Sequence, residues 1–89
     1  MNAIITVVGG DKVGIIAKVS AFLADRDINI EDISQTVLSR NFVMMMMVNL
    51  SLCSKPLEEV KGELAALGET LGVSISLMHE KVFSAMHRI

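Results

Sequence analysis

The sequence predicts an α+β fold in which a four-stranded antiparallel sheet carries two helices on one face. Apolar segments follow one another in the order strand, helix, strand, strand, helix, strand, and a short amphipathic tail comes last. The first and third strands are apolar on both faces, as strands at the centre of a sheet are. Because 89 residues suffice for one domain, we expect a single domain with its core in residues 3–78 and its tail in residues 80–89.

The first strand runs into a glycine turn. Residues 3–8 are β-branched at nearly every position, and the strand stops at Gly9 and Gly10. Glycines leave the amide groups of such a turn uncovered, and Asp11 is expected to cap the helix that follows. The N–H groups of a helix N-terminus are suited to a small anion such as a carboxylate. A tight turn with a helix cap and no ligand would produce the same pattern.

Two segments with helical periodicity are predicted to form amphipathic helices. The first covers residues 12–26, and the second opens with Ser54 or Lys55 at the cap and Pro56 in the first turn. Gly72 is expected to end the second helix in a left-handed conformation. The buried stripes consist of Ile15, Ile16, Val19, Phe22 and Leu23 in the first helix and Leu57, Val60, Leu64, Leu67 and Leu71 in the second.

Between the helices, the sequence predicts two strands joined by a hairpin. Residues 30–39 form the second strand, and its apolar positions change parity between Ile30 and Ile33, which predicts a β-bulge near Glu31 and Asp32. The polar pair Arg40-Asn41 predicts the hairpin turn. The third strand follows over residues 42–50.

The remaining segments complete a ferredoxin-like βαββαβ order. Gly62 and Gly68 weaken the second helix unless they permit the close approach of another backbone. Residues 73–78 alternate between apolar and polar and predict the fourth strand. Right-handed crossovers then place the first and third strands at the centre of the sheet, and residues 80–89 form the helical tail.

Composition excludes several classes of partner. The net charge of −2 and the pI of about 5.5 provide no basic field for nucleic acid or an anionic membrane, and three aromatic residues are few for stacking bases. The single cysteine, Cys53, excludes an intrachain disulfide and suits a reducing cytosol. The sequence shows no signal peptide or membrane-spanning run. We therefore expect a cytoplasmic protein without nucleic-acid partner, membrane partner, metal or cofactor.

The third strand predicts an apolar surface on the open face of the sheet, away from the helices. Its residues from Phe42 to Leu50 divide into two faces, and the helices can cover only one. We expect the tail or a second subunit to cover the other face, since flexible methionine side chains fill irregular apolar gaps. The predicted interface residues of a homodimer are Val43, Met45, Met47, Phe83 and Met86.

The glycine turn and the entry to the second strand resemble an ACT domain. In that family, a turn of the type Asp-Arg-Pro-Gly leads into an apolar helix start, and Asn-Ile opens the next strand. Here these motifs stand as Asp11-Lys12-Val13-Gly14-Ile15-Ile16 and Ile28-Asn29-Ile30. The chain is most similar to small stand-alone ACT proteins and to the halves of the glycine-cleavage transcriptional repressor. The resemblance implies that two domains pair, either side by side or back to back.

The resemblance also implies an amino-acid site shared between two subunits. One subunit contributes the turn residues and the other contributes Asn29 from the start of its second strand. The turn amides and Lys12 can hold a carboxylate, while Asp11 and the Asn29 amide oxygen can accept hydrogen bonds from an ammonium group. The turn residues concerned are Gly10, Asp11, Lys12, Val13, Gly14 and Ile15.

The leading functional hypothesis is a non-enzymatic regulatory module that senses an amino acid as a homodimer and acts on a protein partner. A purely structural oligomerisation module without a ligand is the first alternative, because the same apolar open face would serve it. A small acyl phosphate hydrolase on the same fold is the second. That reaction needs a cationic phosphate cradle, whereas this turn carries an acid. His79 and His87 have no nucleophilic partner placed by the pattern.

Overall fold

The computed structural model describes residues 1–10 and 14–86, and residues 11–13 and 87–89 lie outside that description. The sheet has the order β2-β3-β1-β4 with antiparallel neighbours, so the predicted fold and its two central strands are confirmed. The elements are β1 (Asn2–Gly9), α1 (Ile15–Asp25), β2 (Asn29–Leu38), β3 (Asn41–Asn49), α2 (Leu57–Leu71), β4 (Ser74–His79) and α3 (Glu80–Met86).

The core lies between the sheet and the helices α1 and α2. Residues that alternate along the strands point to this side and are almost completely buried, as the two-sided pattern of β1 and β3 predicted. The helices contribute their apolar stripes to the same cluster. Its buried members include Ala3, Ile5 and Val7 of β1, Met44, Met46 and Val48 of β3, Val19 and Leu23 of α1, and Val60 and Leu64 of α2.

Helix α1 begins later than its periodicity predicted. Its N-cap residue is Gly14, which has a φ of 83° and makes no side-chain cap, so the helix starts at Ile15 rather than near Lys12. Asp11, which the sequence predicted as the capping residue, lies outside the described residues. Only glycine adopts such a left-handed conformation at little cost. The spacing of apolar residues does not reveal this backbone conformation, and so it predicted the helix start too early.

The hairpin between β2 and β3 confirms the bulge and corrects the turn. The register of β2 against β3 shifts between Ile30 and Asp32, as the change of parity predicted. The turn residues are Ser39 and Arg40, with φ values of 51° and 68°, and Asn41 already belongs to β3. A two-residue hairpin with both φ values positive usually contains Asn and Gly, and their absence explains why the sequence placed the turn one residue late.

Helix α2 begins at Leu57 with Pro56 as its N-cap, so the predicted cap at Ser54 or Lys55 is wrong. Pro56 has an extended ψ of 153° and therefore precedes the helix instead of forming its first turn. At the other end Gly72, with a φ of 73°, confirms the predicted left-handed stop. Gly68 permits close packing, because a Cβ atom there would lie 2.8 Å from the carbonyl oxygen of Val73.

An ion-pair network joins the C-terminal end of α1 to the middle of α2 and to the segment before α2. Arg26 Nε donates to Glu63 Oε1 at 2.8 Å and its guanidinium lies 3.5 Å from the centre of the Phe22 ring. Lys55 Nζ donates to the other oxygen of Glu63 at 2.6 Å. The hydrogen bond from Arg26, followed by that from Lys55, lowers the pKa of the Glu63 carboxyl below its ordinary value of 4.5.

None of the helices in the described ranges combines the length and the apolarity needed to cross a lipid bilayer.

We expect Gly68→Ala to destabilise the protein by about 1–3 kcal/mol, since the added methyl group meets backbone rather than a side chain that can move. The matched control is Gly62→Ala in the same helix, where a Cβ atom would have no neighbour within 4 Å. That change should stabilise by about 0.5–1 kcal/mol. Urea unfolding of both variants measures the difference, and equal effects would contradict the close contact.

We expect the stability of the wild-type protein to fall more steeply on acidification than that of Glu63→Gln. The folded pKa of Glu63 is lower than the unfolded one, so its contribution is complete above pH 4.5 and is lost as the pH falls through the folded pKa. Chemical unfolding between pH 7 and pH 3 measures the two slopes. Glu69→Gln, at an exposed position of α2, is the control and should follow the wild type.

Candidate functional site

In the part of the predicted turn that the structure describes, the backbone before α1 is exposed to solvent. Gly10 and Gly14 are both exposed, and a Cβ atom at either position would meet nothing within 4 Å. Ile15 is 4% exposed and anchors the helix start in the core. The first turn of α1 contains no acidic residue, and its N-cap residue makes no side-chain hydrogen bond to the helix. An anion that approaches these N–H groups is therefore neither repelled by a carboxylate of that turn nor obstructed by a side-chain cap. Asp11, Lys12 and Val13 lie outside the described residues.

Asn29 lies exposed at the first position of β2. Its Nδ2 donates to Glu31 Oε2 at 3.4 Å, and Asn49 Nδ2 approaches the same oxygen at 3.5 Å. Since the amide donates through its nitrogen, its oxygen is the acceptor that it presents to a ligand, which is the role predicted for it.

A cavity of about 310 Å³ adjoins Asn29. It lies where α1 ends and β2 begins, and Asp27, with a φ of 57°, turns the chain there. Sequence reasoning assigned no function to Asp27 or to Leu52, which lies across the cavity and is 81% exposed. From the sequence, Asp27 was interpreted only as a turn residue, because Asp tolerates the left-handed region. The cavity is lined by Ala24, Asp27, Ile28, Asn29 and Leu52.

Within one chain, the structure places the two halves of the predicted site at opposite ends of the sheet. Asn29 and Asn2 both pair with Asn49 and so share one end. Gly9, which leads into the turn, pairs with Phe42 at the other end. Gly9 lies seven positions after Asn2 along β1, a distance of about 23 Å at roughly 3.3 Å per residue. A single small ligand therefore cannot touch the turn and Asn29 of the same chain.

The open face of the sheet carries the apolar surface that the sequence predicted. Val43, Met45 and Met47 are half-buried there, while Met44 and Met46 point into the core. A cavity of about 200 Å³ lies on this face and is lined by Ile4, Asp32, Ile33, Ser34, Met45, Met46 and Met47. The interface role of this face stays a prediction.

Helix α3 follows β4 directly and lies beside β1. Ile4 alternates with core residues of β1 and so points to the open face, yet it is only 6% exposed. Helix α3 contacts β1 and β4, and its Phe83 is half-buried. Coverage of the open face by the tail stays a prediction. Met86 ends the helix, and its side chain lies outside the description.

The other chemistry-bearing groups have local partners. The backbone N–H of Lys81 donates to His79 Nδ1 at 3.0 Å, and Cys53 is half-buried with its Sγ 3.8 Å from the carbonyl oxygen of Lys55. Among residues 1–10 and 14–86, His, Cys, Asp and Glu side chains form no group of three that could hold a metal ion. His87 lies outside those ranges.

Comparison with known proteins identifies relatives along the whole chain. The sequence profile of the ACT domain matches residues 2–78. A UPF0237 protein of Listeria monocytogenes is 49% identical over 89 residues, with 100% of both chains covered. A UPF0237 protein of Methanopyrus kandleri is 47% identical, with 99% of this chain and 98% of that chain covered.

Solved structures agree with these matches. An ACT domain protein from Streptococcus pneumoniae superimposes with a TM-score of 0.85 at 46% identity, covering 98% of each chain. A putative glycine cleavage system transcriptional repressor superimposes with a TM-score of 0.77 at 25% identity. That match covers 85% of this chain but 44% of the repressor, so this chain corresponds to less than half of that protein.

Proposed function

Because the chain belongs to the ACT domain family, we propose that it is a non-enzymatic regulatory module that binds an amino acid between two copies of itself. ACT domains are typically regulatory ligand-binding modules. The observation that carries the proposal is the start of α1, where Gly14 caps the helix without a side chain and the first turn has no acid. These N–H groups form an anion site for the carboxylate of an amino acid.

The separation of the two half-sites supports a ligand shared between chains. Asn29 lies at the end of the sheet remote from the glycine turn, so a second copy must bring its own Asn29 to that turn. A twofold axis perpendicular to the strands does this, because it reverses the direction of the second sheet. The ligand then contacts the turn of one copy and the partner's Asn29, and it binds only the paired state.

The expected contacts match the two charges of an amino acid. The amides between Gly10 and Ile15, together with the cation of Lys12, hold the carboxylate. The amide oxygen of the partner's Asn29 and the carboxylate of Asp11 accept from the ammonium group. The ligand's own side chain lies in the space that the glycines leave open.

Regulation requires that the ligand bind one arrangement of the two copies more tightly than another. A ligand that bridges two copies shifts the population toward the arrangement that it binds more tightly, and by no more than that difference in affinity. In this proposal, the protein that the module regulates recognises the ligand-bound arrangement of the two copies.

A structural oligomerisation module is a second candidate, and a specific observation favours it. The open face combines the half-buried residues Val43, Met45 and Met47 with a cavity of about 200 Å³. Methionine is enriched in protein interfaces because it adapts to irregular partners. Together with Phe83 and Met86 of α3, these residues form the proposed interface of that module.

We expect one or a few free amino acids to raise the melting temperature of the protein. A ligand present at 100 times its Kd stabilises by about 2.7 kcal/mol, which corresponds to roughly 10–20 °C for a domain of this size. Asp11→Ala and Asn29→Ala should both abolish the shift, because each removes an acceptor for the ammonium group. Glu69→Ala, at an exposed position of α2 that belongs to neither half of the proposed site, is the control and should retain it.

A flat panel at millimolar concentrations would contradict the sensor and favour the oligomerisation module. A shift that survives both site variants would show that the amino acid binds elsewhere.

If the open face is an interface, Met45→Asp should lower the oligomer mass measured by light scattering. A carboxylate in an apolar contact loses hydration without gaining a partner. Ala65→Asp, at an exposed position of α2, is the control for added charge, and circular dichroism checks the folding of both variants. An unchanged mass for Met45→Asp would exclude pairing through the open face.

A further inference from the structure

The cavity beside Asn29 combines an apolar lining with one charged group. It has a volume of about 310 Å³. Ala24, Ile28 and Leu52 supply its apolar lining, and Leu52 is 81% exposed. Among the lining residues that the structure describes, Asp27 carries the only charge and Asn29 supplies an amide. The cavity therefore suits a group that is apolar along its length and positively charged at its end.

Asp27 stands directly after the end of α1 in a left-handed conformation, with a φ of 57°. Its N–H donates to the carbonyl oxygen of Ala24 at 3.1 Å, and the N–H of Ile28 donates to that of Leu23 at 3.0 Å. These two bonds form the Schellman motif, in which glycine or asparagine usually occupies the position of Asp27. The backbone of this turn is therefore fixed. In the part of the chain that the structure describes, no group donates to the carboxylate of Asp27.

The charge of Asp27 is unfavourable in the chain without a ligand. A helix C-terminus carries partial negative charge, and α1 has no basic residue in its last turn. Two neighbouring cations have other partners. Arg26 pairs with Glu63 at 2.8 Å, and the ammonium group of Met1 donates to Ser51 Oγ at 3.4 Å. A cation that enters the cavity relieves the repulsion between Asp27 and the helix end.

We propose that this cavity selects the side chain of the bound amino acid, and that the ligand is a basic amino acid with an aliphatic stem and a terminal ammonium group, such as lysine. The inference rests on the proposed function, in which the partner's Asn29 completes the site. The glycines leave room for the first atoms of the ligand side chain, and a longer side chain continues past the partner's Asn29 into the cavity. Two residues of chain span at most about 7 Å, and the four-carbon stem of lysine reaches roughly 6 Å, so such a ligand spans the step from Asn29 to Asp27.

Each part of such a ligand then has its own contact. The N–H groups at the start of α1 in one copy hold the carboxylate. In the other copy, the amide oxygen of Asn29 accepts from the α-ammonium group, and the carboxylate of Asp27 accepts from the terminal one. The aliphatic stem lies against Leu52 and Ala24, so that binding covers an apolar side chain that is otherwise exposed.

Calorimetric titration with lysine and with norleucine tests this selection. Norleucine has the same four-carbon side chain but lacks the terminal ammonium group. Lysine should bind about tenfold more tightly, the effect of one charge-assisted hydrogen bond. Asp27→Asn should bring the two affinities close together, since it removes the charge and keeps a residue that tolerates the left-handed conformation. Asp25→Asn, at an exposed position of α1 that does not line the cavity, is the matched control and should retain the preference.

A second variant addresses the apolar lining. Leu52→Ala should weaken the binding of lysine and of norleucine by a similar factor, because both ligands carry the stem that covers Leu52. The side chains of Asp25, Asp27 and Leu52 are all exposed, so the three variants should fold, and circular dichroism verifies it.

Three outcomes would overturn the proposal. The first is an affinity for norleucine that equals or exceeds that for lysine, and the second is a preference for lysine that survives in Asp27→Asn. The third is that Leu52→Ala leaves the affinity for lysine unchanged. If another amino acid binds and depends on Asp11 and Asn29 but not on Asp27, the proposed function stands and the selection by this cavity does not. If no amino acid binds at all, both fail.

Discussion

Two helices on one face of a four-stranded sheet are the constraint on which the rest of the structure depends. They bury the alternate side chains of β1 and β3 completely, and Ile5, Met44 and Met46 show no exposed surface. They do not reach the opposite face or the outer half of β2. A domain of this size cannot enclose all its apolar side chains. The apolar side chains that stay outside the core are concentrated on the open face of the sheet and on the outer half of β2. Apolar surfaces of this kind are where partners bind.

The parallel course of β1 and β2 separates the glycine turn from the start of β2. The two strands flank β3 and run in the same direction, so the turn after β1 and the beginning of β2 must lie at opposite ends. No loop movement of a few ångströms removes a separation of that kind. A site that needs both elements therefore couples binding to assembly, since an incomplete site in one chain lacks its second group of acceptors. Such coupling is what regulation requires.

The sequence predicted the elements that depend on side-chain periodicity and missed those that depend on backbone conformation. The strand order, the bulge after Ile30 and the stop at Gly72 all leave a pattern of apolar spacing or a characteristic residue. The start of α1 at Gly14 and the Ser39-Arg40 turn depend on positive φ values, and only the first contains a glycine. The cavity beside Asn29 requires Leu52 from a distant loop, which no local pattern reveals.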